Sequence, residues 1–171
     1  MLLSLVLIAG GLATAPTMAA LFEQKKTAEL QKLCRQMAIV ISVVTFLGLV
    51  FLALTGNLLL SLFNTKFISA YPILIILAFG CMIDAMSGPT SYLMQMTSLQ
   101  SVYAKMLAII YALVFTLQLI FVPHYGILAA ALANATGVIV WNCFSIYFIR
   151  SKIGVDPSIL GLIYPPKARH S

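Results

Sequence analysis

Asp84 is the residue with the greatest capacity for chemistry, because it is the only acidic residue inside a long apolar run. A charged Asp at the centre of a membrane-spanning helix costs about 2.5–3.5 kcal/mol on insertion scales. The Leu, Ile, Phe, Val, Ala and Met residues around it offset that cost. Two uses fit such a residue. It can face a polar cavity and bind a proton, a cation or substrate hydroxyls, or it can be a protonated carboxyl hydrogen-bonded to a neighbouring helix.

Ser87-Gly88-Pro89 follows one turn later. Pro89 has no N–H for the carbonyl of Ala85, and it disfavours helical geometry at Gly88. A kink near the bilayer centre is expected. Thr90, Ser91, Tyr92 and Gln95 beyond it are more polar than the Ile/Leu-rich half before Asp84. Broken backbone at membrane depth needs a cavity or neighbouring helices to satisfy it, and transporters place such breaks at midplane sites. A purely structural kink between packed helices satisfies the same residues. Asn134, Asn142 and Gln118 can hydrogen-bond across helices. The candidate cavity or transport set is therefore Asp84, Ser87, Gly88, Pro89, Gln95 and Asn134.

Other chemistry finds no support. Cys34, Cys81 and Cys143 are an odd set without CxxC spacing, and His124 has no partner spaced for a metal. No Gly-rich phosphate loop, activated Ser or Cys, or paired carboxylate is present. The reading is not an enzyme, with no cofactor and no metal.

The elements that position these residues follow from composition. Of 171 residues, 62% are hydrophobic and only 8% charged, with a mean hydropathy of +1.07. Soluble domains carry about 25% charged residues. A soluble enzyme, a disordered tail and a nucleic-acid-binding domain are excluded, and the chain reads as an integral membrane protein. Four runs, at 37–56, 72–95, 102–122 and 127–149, are long enough to cross a hydrocarbon core about 30 Å thick. In lipid the backbone must satisfy itself, so these runs are expected to be helices. The run 2–15 is shorter. It fits a signal-peptide core less well than a partial transmembrane helix over 1–15, because no Lys or Arg precedes it.

Segment 16–36 differs. It holds Glu23, Lys25, Lys26, Glu29, Lys32 and Arg35, while Phe22, Leu30, Leu33, Cys34 and Met37 recur at roughly helical spacing. It is expected to be an amphipathic helix on the cytoplasmic membrane surface. If the chain alternates sides, nine of its ten Lys/Arg share one side and Lys66 stands on the other. The positive-inside rule makes the basic side, including the tail 150–171, cytoplasmic. The tail, with Asp156-Pro157 and Pro165-Pro166, is expected to be irregular beyond its first turn. Ala129, Ala133 and Gly137 form one small-residue row in the last span. Gly126, Ala130 and Asn134 form another, and both suit close helix packing.

These residues also form a familiar series. Ala15-Pro16 ends a span, and Leu30-Gln31-Lys32-Leu33 lies in the basic segment. Leu59-Leu60-Ser61-Leu62-Phe63 closes the next span, and Phe67, Ala70-Tyr71-Pro72 opens the one after. Ser87-Gly88-Pro89, Tyr92-Leu93-Met94 and Met96-Thr97 follow. Val122-Pro123-His124-Tyr125-Gly126-Ile127-Leu128-Ala129 opens the last hairpin, with Trp141-Asn142 deep in the final span. In order and spacing the chain, from about Gly10 to Asp156, resembles the C-terminal part of bacterial polysaccharide-biosynthesis membrane proteins. These are Wzx-type flippases of lipid-linked oligosaccharides, in the multidrug/oligosaccharidyl-lipid/polysaccharide exporter superfamily.

The resemblance implies an all-α polytopic transmembrane bundle, here four full spans plus one partial span, in the bacterial inner membrane. It implies alternating access, a lipid-linked saccharide as substrate, membrane lipid as surroundings, and the remaining N-terminal transmembrane helices of the transporter as partner. The chain is then a fragment of a polysaccharide or lipopolysaccharide exporter built from two bundles. The family has Gly near Thr97-Ser98-Leu99 and near Ala129, and often a neutral polar residue where Asp84 stands, so no family role passes to Asp84. Two further readings stand beside this one. One is a cation-coupled multidrug exporter of the same superfamily. The other is a small membrane interaction or scaffold protein using the small-residue rows as its interface.

Overall fold

A computed structural model describes residues 2–63 and 70–159, with side chains described from Leu12 onward except for Leu59, Leu62 and Phe63. The described residues form helices and connections, with no strand among them. The helices are α1 (Leu2–Glu23), α2 (Thr27–Phe63), α3 (Tyr71–Ser87), α4 (Thr90–Gln95), α5 (Gln100–Tyr125) and α6 (Ile127–Lys152). Three stretches are long and apolar enough to cross a membrane: Thr27–Leu58, Gln100–Tyr125 and Ile127–Lys152.

The segment expected as a separate surface helix is divided instead. α1 continues through Pro16 to Glu23, and the chain turns over Gln24–Lys26. Lys25 takes φ 55°, Lys26 N–H donates to the Leu21 carbonyl at 3.0 Å, and Lys25 N–H donates to the Phe22 carbonyl at 3.0 Å. This is a Schellman cap, which satisfies the last carbonyls of a helix through one left-handed residue. The rest of the basic segment forms the first turns of the 37-residue α2. The stripe Leu30, Cys34, Met37 and Ile41 is buried in the protein rather than laid on a surface. The opposite face of α2 presents Val40, Val43, Phe46, Leu47 and Leu54 outward. Such an apolar exterior on a helix with a polar-lined interior is the arrangement lipid favours.

Neighbouring helices pack in the series α1, α2, α3, α6, α5, with α4 filling in against α1, α5 and α6. At the far end of α2, the Tyr71 hydroxyl donates to the Ala53 carbonyl at 2.8 Å, and the ring lies where a Cβ on Gly56 would meet it at 2.9 Å. Ala129, Ala133 and Gly137 are all buried, and a Cβ on Gly137 would collide with Val114 of α5. That small-residue row is thus used within the chain to bring α5 and α6 together. α5 runs through Pro123 to Tyr125, so a single residue, Gly126 at φ 63°, joins it to α6 where the expected spans 102–122 and 127–149 left residues 123–126 between them.

The expected span 72–95 is two helices meeting at Gly88-Pro89. Gly88 takes φ 77°, a region that favours glycine. Its N–H donates to the Ala85 carbonyl at 3.1 Å, closing α3, and α4 restarts with Leu93 N–H donating to the Pro89 carbonyl at 3.0 Å. The break touches Ala38 and Pro157, toward the end of the bundle where the chain folds back after α6.

Gly88 and Gly126 separate backbone strain from crowding. An added Cβ meets nothing within 4 Å at Gly126, but at Gly88 it runs into the Pro157 carbonyl. Gly126→Ala is expected to cost about 1 kcal/mol from φ alone, and Gly88→Ala about 3 kcal/mol or more once the clash is added. Thermal unfolding in detergent micelles, followed by circular dichroism, checks that order.

Candidate functional site

The polar residues of α3, α4 and α6 meet at Asn142. Asn142 is buried, and its Nδ2 donates to Asp84 Oδ1 at 2.9 Å and to the Val138 carbonyl at 3.0 Å. Thr90 Oγ1, at the start of α4, donates to Asn142 Oδ1 at 3.5 Å, a long contact. One amide therefore ties the helix before the break, the helix after it and the final helix. The interhelical role expected of Asn142 is present, and its partner is the carboxyl of Asp84.

Asp84 also faces open space. A cleft of about 270 Å³ lies between α3, α5 and α6, and Asp84 and Ser91 line it from the two sides of the break. Asn134, Gly137, Val138 and Trp141 of α6 form one wall. Tyr103, Leu107, Ile110, Tyr111 and Val114 of α5 form another. The α5 residues follow helical spacing, which brings one face of that helix to the cleft. Gly137 lets Val114 of α5 approach, because a Cβ there would meet it. The rings of Tyr103 and Trp141 meet edge to face, with centroids 5.3 Å apart at 88°. That geometry favours the ring quadrupoles and holds both rings in place.

The six sequence candidates separate into three groups. Asp84 and Asn134 come together on the cleft. Ser87, Gly88 and Pro89 are buried at the break, where Ser87 Oγ donates to the Ile83 carbonyl of its own helix at 2.9 Å. They shape the site without lining it. Gln95 stands apart: its Nε2 donates to the Ser91 carbonyl at 3.2 Å, and its own carbonyl accepts from Gln100 Nε2 at 2.9 Å. Those bonds turn the chain from α4 into α5. His124 is exposed, and among the described residues no three His, Cys, Asp or Glu gather in a way that could hold a metal.

Tyr103 and Tyr111 were missed by sequence reasoning, and Trp141 was noted only as a landmark. Their spacing on α5 and α6 was readable. In helices apolar on every side, that spacing does not say which face turns inward. Chemically, the cleft offers a carboxyl, a carboxamide, hydroxyls and three aromatic rings within an otherwise apolar bundle. Such a mixture gives a few directional polar groups and broad faces for stacking.

Interhelical hydrogen bonds in membranes average about 0.6 kcal/mol and reach about 1.7 kcal/mol. A double-mutant cycle of Asp84→Ala and Asn142→Ala is expected to give a coupling in that range. Each single variant should remove most of the shared stability. Reversible unfolding in mixed micelles measures it, and additive losses would mean that the two side chains do not interact. No family model, curated protein or solved structure matches this chain.

Proposed function

We propose that this chain is a membrane part of an exporter that flips a lipid-linked saccharide, and that the Asp84 cleft contacts the sugar headgroup. One observation supports this above the others: a carboxyl, a carboxamide and an edge-to-face Tyr–Trp pair line one cleft between apolar helices. Sugars present hydroxyl groups around their rim and C–H bonds on their faces. Carboxylate and amide groups bind the first, and the negative faces of aromatic rings favour the second. Outward apolar faces on α2 and α5 leave the lipid tail in the bilayer while the headgroup stays inside.

In this proposal the chain is multi-pass in the bacterial inner membrane. Lys25, Lys26, Lys32, Arg35, Arg150 and Lys152 gather at the joint of α1 with α2 and at the end of α6. Their bias puts that end, with the C-terminal tail, on the cytoplasmic side. The cargo crosses by alternating access, with further helices of the transporter completing the second wall of the cavity. The chain carries out no covalent chemistry.

A specific observation also favours the drug-exporter reading. Asp84 stands beside Tyr103, Tyr111 and Trp141, and aromatic faces with a carboxylate attract organic cations. The two readings separate in the source organism. Asp84→Asn and Trp141→Ala are placed in the chromosomal gene, with protein levels matched by immunoblot. A hydrogen bond to a charged group is worth about 1.5–3 kcal/mol, so glycan export is expected to fall about tenfold or more. Lipid-linked precursor should accumulate while drug susceptibility stays unchanged. Normal export with greater sensitivity to cationic drugs would favour the second reading. Normal behaviour in both assays would sink the role of the cleft.

A further inference from the structure

After α6 the chain does not leave the bundle. Residues 153–158 turn at Gly154, with φ 75°, and run back against it without regular secondary structure, and Val155, Asp156, Pro157 and Ser158 are all buried. Asp156, fully buried, organises this strap. Its Oδ2 takes the Arg150 guanidinium, and its Oδ1 accepts from Ser158 N–H at 3.1 Å and from Ser158 Oγ at 2.8 Å. Gln31 of α2 grips the backbone of the same residue from the other side. Asp156 N–H donates to Gln31 Oε1 at 2.6 Å, and Gln31 Nε2 donates to the Asp156 carbonyl at 2.6 Å. The side-chain amide pairs with that peptide as an adjacent strand would.

An irregular segment loses much conformational freedom when it is ordered, so it stays ordered only where contacts offset that loss. Here the contacts are the Arg150 pair, the hydrogen bonds from Ser158 and Gln31, and the burial of Val155 in the core with Cys34 and Ile149. Pro157 then rests on the helix break, with its carbonyl where a Cβ on Gly88 would stand. From Gly88 the connection to the cleft is short. Thr90, two residues on, bonds Asn142, and Asn142 bonds Asp84.

We infer that strap 153–158, clasped by Gln31 and Arg150 through Asp156, holds the Gly88-Pro89 break in place and thereby sets the shape of the Asp84 cleft. Releasing the strap lets α4 move against α3 and loosens the Thr90–Asn142–Asp84 series. Asp156, Gln31 and Arg150 are positioning residues in this scheme. The inference holds whichever cargo the cleft takes, and its test does not involve transport.

Two built-in reporters serve the test. Trp141 is the only tryptophan and lines the cleft. Cys34 is buried one turn beyond Gln31, in the same cluster as Val155. The whole chain, with Cys81→Ala and Cys143→Ala, is purified in detergent micelles. Maleimide labelling of Cys34 reads the strap, and acrylamide quenching of Trp141 reads the cleft. Asp156→Asn and Gln31→Ala are each expected to expose Cys34 and to raise the Trp141 quenching constant about twofold, as a local opening would. The pair together should add little to either alone, and Lys152→Ala should change neither reporter. Ser158→Ala removes one bond to Asp156 and serves if the stronger variants fail to fold. It should move both reporters the same way by less. Cys34 exposed with unchanged Trp141 quenching would overturn the link from strap to cleft. Cys34 still protected in folded Asp156→Asn and Gln31→Ala would overturn the clasp itself.

Discussion

The fold depends on covering a broken backbone inside an apolar bundle. Gly88 and Pro89 end one helix and begin another, and the peptide groups around them cannot all be satisfied by regular helical bonds. In lipid, an open polar group of this kind costs several kcal/mol. The surrounding elements bury the break. α6 supplies Asn142 next to Thr90, α2 brings Ala38 against Gly88, and the segment after α6 folds back so that Pro157 closes the remaining side. Three elements far apart in the sequence therefore converge around the break.

The cleft lies beside the break. Asp84 and Ser91, seven residues apart on its two sides, both line the opening, and α4 packs against α1, α5 and α6. Gly137 matters on the opposite wall. Because it has no side chain, Val114 comes close and α5 and α6 pack tightly, while Tyr103, Tyr111 and Trp141 stand at the margin of the opening. Small residues draw helices together in membranes, where no hydrophobic force does so. Here the same packing also fixes the edge-to-face ring pair beside the carboxyl.

Large apolar side chains face outward as well as inward. Val40, Phe46, Leu47 and Leu54 of α2, and Ile109, Phe115 and Leu119 of α5, point outward, whereas Ser42, Thr45, Ser145 and Asn142 point inward. Hydrophobicity by itself therefore does not mark the core. This is why the stripe Leu30, Cys34 and Met37, read in the sequence as lying on a membrane surface, packs against other helices instead. Both placements bury the same apolar atoms, and periodicity alone does not distinguish them.

The sequence by itself determined the helical class, three of the four expected apolar spans, the bias of basic charge, and the disruption around Pro89. Each follows from local chemistry: the hydrogen-bonding demands of the backbone in lipid, the missing N–H of proline, and the cost of placing Lys and Arg in hydrocarbon. Asp84 stood out for the same reason. Tertiary structure alone decided that Asn142 is the partner of Asp84, that Asn134 shares its cleft while Gln95 does not, and that Asp156 is buried under a clasp from Gln31. A polar residue in an apolar helix announces that it needs a partner. Which partner it finds depends on how each helix is rotated and how deeply it packs against the next, and helices apolar on every face leave that rotation open until they are assembled.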